Sequence, residues 1–233
     1  MLDLYKQQTK CLVALDSIIF GFDGEELKIL LVQRGFEPEI NKWSLMGGFV
    51  GPDETPDVAA IRVLKDLTGL EGVYFDQLQI YGEPKRDPIE RTLSVVYFAL
   101  IDINKYKQQL NTDYHAEWFV INERPKLIFD HNEMVEDAKK KLRQKAILYP
   151  ILFELLPKKF TLPQLQNLFE KVNDIKVDNR NFTRKIIATG FMIKLNEKDK
   201  LNSKKGAFYY KLDKKRYSTN FQALVNIVPN SRN

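Results

Sequence analysis

Several things are scarce in this chain of 233 residues, and each scarcity excludes something. Cysteine occurs once, at Cys11 beside the apolar run Leu12–Leu15, so no intramolecular disulfide can form and a reducing compartment is expected. Histidine occurs twice, at His115 and His131, neither with a partner at metal-ligand spacing, which argues against zinc. The longest apolar run, Val95–Ile101, is strand-sized and far short of a membrane span. The opening Met-Leu-Asp-Leu-Tyr-Lys lacks the basic-then-apolar plan of a signal peptide, so the expected location is the cytoplasm. No low-complexity tract, internal repeat or Ser-His-Asp arrangement is recognisable.

What is present is ample for a packed core, at 44% hydrophobic residues. The net charge of +5 conceals a division. Residues 1–138 carry 14 Lys+Arg against 24 Asp+Glu, a net −10; residues 139–233 carry 22 against 7, a net +15. An acidic half followed by a basic half implies two domains with different partners, and the basic one favours a polyanion.

The most structured stretch is Gly48–Leu70, which reads as a glycine loop followed by a helix. Thr55 is placed to cap it, Pro56 fits the first helical position and Gly69 a left-handed stop. Around it, strands are expected over 10–20 and 27–34 with a turn at Phe22–Glu25 between them, then over 73–81, 91–102 and 118–120. A helix is expected over 134–147 with Val135, Ala138, Leu142 and Ala146 inward. Strands in mixed order with a helix on each side give an α/β sandwich.

The basic half shows apolar density at Leu148–Leu156, a helix opening at Thr161-Leu162-Pro163-Gln164, and another after Val177. Two strands, Met192–Leu195 and Phe208–Leu212, flank the basic tip Asn202–Gly206. This is the pattern of a winged helix-turn-helix. On the helix after Val177, Phe182 and Ile186 are one turn apart and face the core, so Arg180, Asn181 and Arg184 face outward. Arg and Asn can bond guanine and adenine edges bidentately, which makes Arg180 and Arg184 the base-edge candidates, with Asn181 beside them. Lys185, Lys204, Lys205 and Arg216 are expected on phosphates.

Gly48, Glu54, Arg62, Leu64, Gly69 and Leu70 stand where the Nudix box wants them, and Trp43–Val50 resembles the usual Nudix lead-in with Met46 in place of Pro. In active members, three helix glutamates on one face hold the cations that position water against a pyrophosphate. Those positions here are Val63, Asp66 and Leu67, so a Nudix fold without catalytic residues, metal or cofactor is expected. An eroded Nudix domain (1–148) followed by a basic winged helix (149–233), an α+β chain, resembles the Nudix-related transcriptional regulators of the NrtR family. The motifs Arg86-Asp87-Pro88, Phe129-Asp130-His131 and Arg180-Asn181-Phe182-x-Arg184-Lys185 complete the resemblance.

The family implies a homodimer on a near-palindromic DNA operator, with a small effector in the Nudix domain changing DNA affinity. One branch of it binds ADP-ribose, and that branch looks as if it wants Arg-Asp-Pro-Arg-Gly-Arg where this chain has Arg86-Asp87-Pro88-Ile89-Glu90-Arg91. Losing a cation and gaining an anion argues against a diphosphate. The resemblance is closest to the arabinose-responsive branch, so the expected function is a repressor of sugar-utilisation genes released by L-arabinose or another pentose. ADP-ribose sensing and residual Nudix hydrolysis are the alternatives. Glu37, Lys42, Trp43, Asp87 and Arg91 are the expected effector contacts. Two loops look chemical, residues 82–91 and 128–131, although Arg86-Asp87-Pro88 reads equally as a type I turn with Pro at its second position or nearby, and Phe129-Asp130-His131 equally as a helix start capped by Asp130.

Overall fold

The computed structural model describes residues 4, 6–106, 115–200 and 206–217. Its larger sheet contains β1 (Leu12–Phe22), β2 (Leu27–Gln33), β3 (Trp43–Ser44), β4 (Met46–Phe49), β5 (Tyr74–Tyr81), β6 (Thr92–Asp102) and β7 (Ala116–Val120). The path runs β3-β2-β1-β6-β5, with β4 on β1 and β7 on β2. β1 and β6 are parallel along their whole length, from Leu12↔Thr92 to Phe22↔Asp102. The β1–β2 hairpin is pinned by Asp23 Oδ1, which accepts from the backbone N–H groups of Glu25 and Glu26 at 2.9 and 2.8 Å.

Alternation along β1 sends Ile18, Phe20 and Phe22 to one face and Leu15 and Ile19 to the other. Helix α1 (Pro56–Thr68) covers the second face through Ala59, Ala60, Val63 and Leu64. Helix α2 (His131–Leu148) covers the first through Met134, Val135, Ala138, Leu142 and Ala146. The sandwich expected from the sequence is present.

One edge of β1 is divided: β4 pairs with Ala14–Ser17, whereas β2 pairs with Ile19–Phe22. The sheet forks there. Side chains and backbone around the fork are not closed over by a neighbouring strand, which leaves room for a cavity.

Past α2, Pro150 breaks the helix and a short 3-10 turn (Ile151–Leu155) turns Ile151, Leu152 and Leu155 inward. β8 (Phe160–Thr161), α3 (Leu162–Asn173), α4 (Asn179–Ala188), β9 (Met192–Asp199) and β10 (Ala207–Leu212) complete a winged helix whose small sheet has the order β8-β10-β9. Thr161 and Gln164 form a reciprocal capping box at the start of α3. The core under α2 continues through Leu155, Leu165 and Phe169 to Phe182 and Ile186, so the two halves share one apolar interior. Polar contacts tie them as well: Arg143 Nε donates to the Val172 carbonyl at 2.8 Å, and Lys171 pairs with Glu26 at 2.5 Å. No helix among the described residues is long and apolar enough to cross a membrane.

Candidate functional site

The helix predicted from Gly48–Leu70 forms with the expected ends. Thr55 accepts from the Val58 N–H, Pro56 opens α1, and Gly69 stops it at φ 71°. Of the two carboxylates at box positions, Glu54 accepts from Arg62 through both oxygens (2.6 and 3.0 Å) and from the Gly51 N–H at 2.8 Å. These bonds from Arg62 and from the backbone hold the Glu54 carboxyl at a pKa of about 2. Asp66 lies 3.8 Å from the same guanidinium. Val63 is buried against Gly48, and Leu67 lines the neighbouring cavity. Glu54, the carboxylate that the box supplies from its loop, is thus already committed to Arg62.

The cavity occupies the fork in the sheet and has a volume of about 420 Å³. Its floor is a buried polar cluster assembled from four separate segments. Arg86 Nε and Nη2 donate to the two carboxylate oxygens of Asp130 at 2.8 and 2.9 Å, and Nη2 lies 3.6 Å from Asp16. Burial opposes the Arg86 charge, but the Asp130 bonds outweigh it and raise its pKa. Ser94 Oγ donates to Asp16 at 2.6 Å. The Leu45 N–H donates to His131 Nδ1 at 3.2 Å, which leaves the ring proton on Nε2, 3.5 Å from Asp16. Burial lowers the His131 pKa despite Asp16, so the ring is neutral at neutral pH.

The walls are apolar and aromatic. The Arg34 guanidinium stacks 4.0 Å from the Phe36 ring centroid and lies 5.8 Å from that of Phe129. Phe129 meets His131 edge-on at 5.8 Å, with its backbone at φ 46°. A cationic plane beside two aromatic rings, with a floor of fixed polar groups, suits a ligand that carries both a flat ring and oxygens.

Of the residues expected to touch an effector, the cavity takes in Asp87. Lys42 and Trp43 line a separate hollow with Ile128 and Phe129, where Trp43 packs edge-on to Phe119 at 4.7 Å. Glu37 is exposed, and Arg91 bonds the Glu83 and Thr92 carbonyls. Of the two readings of Asp130, the cap does not hold: it stands at the N-cap position of α2 without a side-chain cap bond, because its carboxylate is taken by Arg86. The reversal in this loop closes over residues 83–86, with Pro84 at its second position and the Arg86 N–H donating to the Glu83 carbonyl at 3.1 Å. Ile89 and Glu90, whose presence spoke against a diphosphate, are exposed and lie outside the cavity lining. Sequence reasoning missed Asp16, Ser94 and Arg34. A signal existed for the first: an acidic residue in the middle of an otherwise apolar strand must find partners.

In the winged helix, Asp178 caps α4 by accepting from the Asn181 N–H at 2.8 Å. Phe182 and Ile186 are buried, and Arg180, Asn181 and Arg184 are exposed together on the opposite face. Arg184 Nη2 donates to Asn181 Oδ1 at 2.8 Å, so the two side chains are held as a pair. Lys185 is half-buried beside them, and Arg216 lies near the end of the helix, at Gly190. Lys204 and Lys205 lie outside the described residues. On the wing, Lys194 and Lys198 stand 3.7 and 4.6 Å from the Phe208 ring centroid.

Residues 12–144 match the NUDIX domain, and residues 152–212 match the NrtR DNA-binding winged helix domain. The chain is 32% identical to the ADPR responsive transcriptional repressor NtrR of Acinetobacter baylyi, across 92% of this chain and 87% of that protein. Over 126 residues the chain is 36% identical to an ADP-ribose pyrophosphatase of Methanocaldococcus jannaschii, across 54% of this chain and 71% of that one. Among solved structures, Shewanella oneidensis NrtR complexed with a 27mer DNA superposes with a TM-score of 0.78 at 28% identity, covering 88% of this chain and 95% of that one. The NUDIX domain of the same Shewanella protein, complexed with ADP ribose, matches with a TM-score of 0.52 at 29% identity over 59% of this chain and 92% of that one. The pentose expectation finds no support in these relatives, whose names carry ADP-ribose instead.

Proposed function

The chain belongs to the NrtR family, a Nudix domain joined to a DNA-binding winged helix, and from that premise we propose that it is an operator-binding repressor released by ADP-ribose. The observation that carries this reading is the cavity at the sheet fork, with its aromatic walls and buried arginine floor. At about 420 Å³ it falls within the range of about 300–1,000 Å³ that holds ligands of drug size. A free pentose would leave most of it, and both aromatic walls, unused. The two residues that argued against a diphosphate do not reach the cavity.

Binding without hydrolysis follows from the residues at the metal positions. Val63 and Leu67 offer no oxygen, and Glu54 is engaged by Arg62. A magnesium ion wants several hard oxygen ligands at near-ideal geometry, which this face of α1 does not supply. The pyrophosphatase relative marks hydrolysis as the rival reading, and Asp66 is the one carboxylate left to serve it.

On the DNA side, Arg180, Asn181 and Arg184 face outward on α4 as the base-reading set, with Lys185, Lys204, Lys205 and Arg216 on phosphates. A dimer of the chain would present two such helices to a near-palindromic operator. Regulation is linkage: ADP-ribose and DNA favour different arrangements of the protein, so each weakens the other by the same factor.

The test combines melting with fluorescence anisotropy on operator fragments selected from a random DNA pool. At about 100 times its dissociation constant, a ligand specific to the native state adds about 2.7 kcal/mol of stability. ADP-ribose is expected to give this shift and to release the DNA, with no products after incubation with Mg²⁺. A shift with L-arabinose alone would return the protein to the pentose reading. Steady turnover of ADP-ribose would make it a hydrolase.

A further inference from the structure

Asp130 stands at the N-cap of α2, the helix that links the cavity to the winged helix, yet its side chain does not serve that helix. Its carboxylate is drawn to Arg86, and its backbone, at φ −92° and ψ 10°, is not in the extended region that an N-cap adopts. The preceding residue, Phe129, carries a positive φ of 46°, an uncommon region for a bulky side chain. Two local preferences are therefore unmet at one peptide, and one ion pair keeps them so. Asp130 has two mutually exclusive partners: Arg86, and the Asn132 N–H in the first turn of α2, where the His131 and Glu133 N–H groups already donate to the Ile128 and Asp130 carbonyls at 3.2 and 3.0 Å.

Arg86 has the matching property. Nε and Nη2 are occupied by Asp130, whereas Nη1 carries no hydrogen bond among the described residues and the side chain forms part of the cavity floor. An anionic oxygen entering the cavity competes with Asp130 for this guanidinium, since phosphate and carboxylate present the same fork of acceptors.

We propose that Arg86 binds the effector's phosphate and that, in exchange, Asp130 leaves it to cap α2. The Phe129–Asp130 peptide then turns, Phe129 relaxes out of the left-handed region, and the start of α2 moves against the cavity wall. The far end of α2 carries Arg143, whose bond to the Val172 carbonyl grips α3 of the winged helix. A rearrangement at Asp130 thus reaches the domain that holds α4 through one continuous helix. The exchange rests on the effector reading above, but its consequence for DNA affinity is measurable with no effector present.

Three full-length variants separate the roles: Asp130→Asn and Asp130→Ser, which cap but cannot form the ion pair, and Asp130→Ala, which can do neither. Operator affinity is measured by anisotropy, and ADP-ribose affinity by calorimetry. The capping variants are expected to bind operator about fivefold more weakly than wild type without any ligand, and ADP-ribose more tightly by a similar factor. Asp130→Ala should fall between them and wild type. If all three variants behaved alike, the ion pair would be only structural and the exchange would be refuted. Wild-type operator affinity in Asp130→Asn would overturn it too. Should wild-type protein ignore ADP-ribose while the capping variants still lose operator affinity, the effector assignment fails and the exchange stands.

Discussion

Val63 closes over Gly48: a methyl group at Gly48 would stand 2.8 Å from Val63 Cγ2, closer than two carbons approach. The helix position that holds a metal-binding glutamate in active Nudix members is here a buried aliphatic contact with the glycine loop. Gly48→Ala should therefore destabilise the fold by about 1–3 kcal/mol through overpacking against a side chain with little rotamer freedom. Denaturant unfolding of G48A, V63A and the double variant checks it. A favourable coupling in the double variant, in the range of about 0.5–3 kcal/mol, is expected for residues in contact. Strict additivity would show that the glycine serves something other than Val63.

The buried histidine gives the protein a pH dependence whose sign is fixed. Burial lowers the His131 pKa in the native state from its ordinary 6.5, so the unfolded chain takes up a proton first as the pH falls. This contribution to stability is full above pH 6.5 and is lost as the pH falls from there toward the lower native value, below which the loss levels off. His131→Gln can accept from Leu45 and donate toward Asp16 without titrating. Melting temperatures of wild type and H131Q across this range should diverge only on the acid side. Parallel curves would mean that His131 titrates alike in the folded and unfolded protein, and a wild type that gained on H131Q in acid would mean that His131 is protonated in the native cluster.

How much of this was legible in the sequence depended on the separation of the partners. Thr55, Pro56 and Gly69 act within one helix, and their placement was readable from local chemistry. The inward set of α4 followed from spacing alone, because Phe182 and Ile186 leave only one face for the arginines. The cavity floor was not legible in that way. It joins Asp16, Arg86, Ser94 and Asp130, which meet only after β1 and β6 pair and α2 docks. For Asp130 the cap stood as an equal alternative because a local partner was in view and the competing arginine, far away in the chain, was not. Lys42 and Trp43 were chosen for lying near the box in sequence, but the fork in the sheet directs them into another hollow.

On α4, the pairing of Arg184 with Asn181 distinguishes two kinds of DNA contact. The bond between them fixes the guanidinium before DNA arrives, which favours a base-edge role over a mobile phosphate contact. Arg184→Ala is expected to cost about 1–3 kcal/mol per half-site on the selected operator and to relax sequence preference at one position. Arg180→Ala should do the same at a neighbouring position. Lys185→Ala should instead weaken all DNA sequences alike and flatten the dependence of log affinity on log salt by about 1 per site. Affinities on the operator and on single-base variants, each at several salt concentrations, separate the two classes. If Arg184→Ala weakened every sequence equally and changed the salt slope, the residue would be a phosphate contact, and base reading would pass to Arg180 and Asn181.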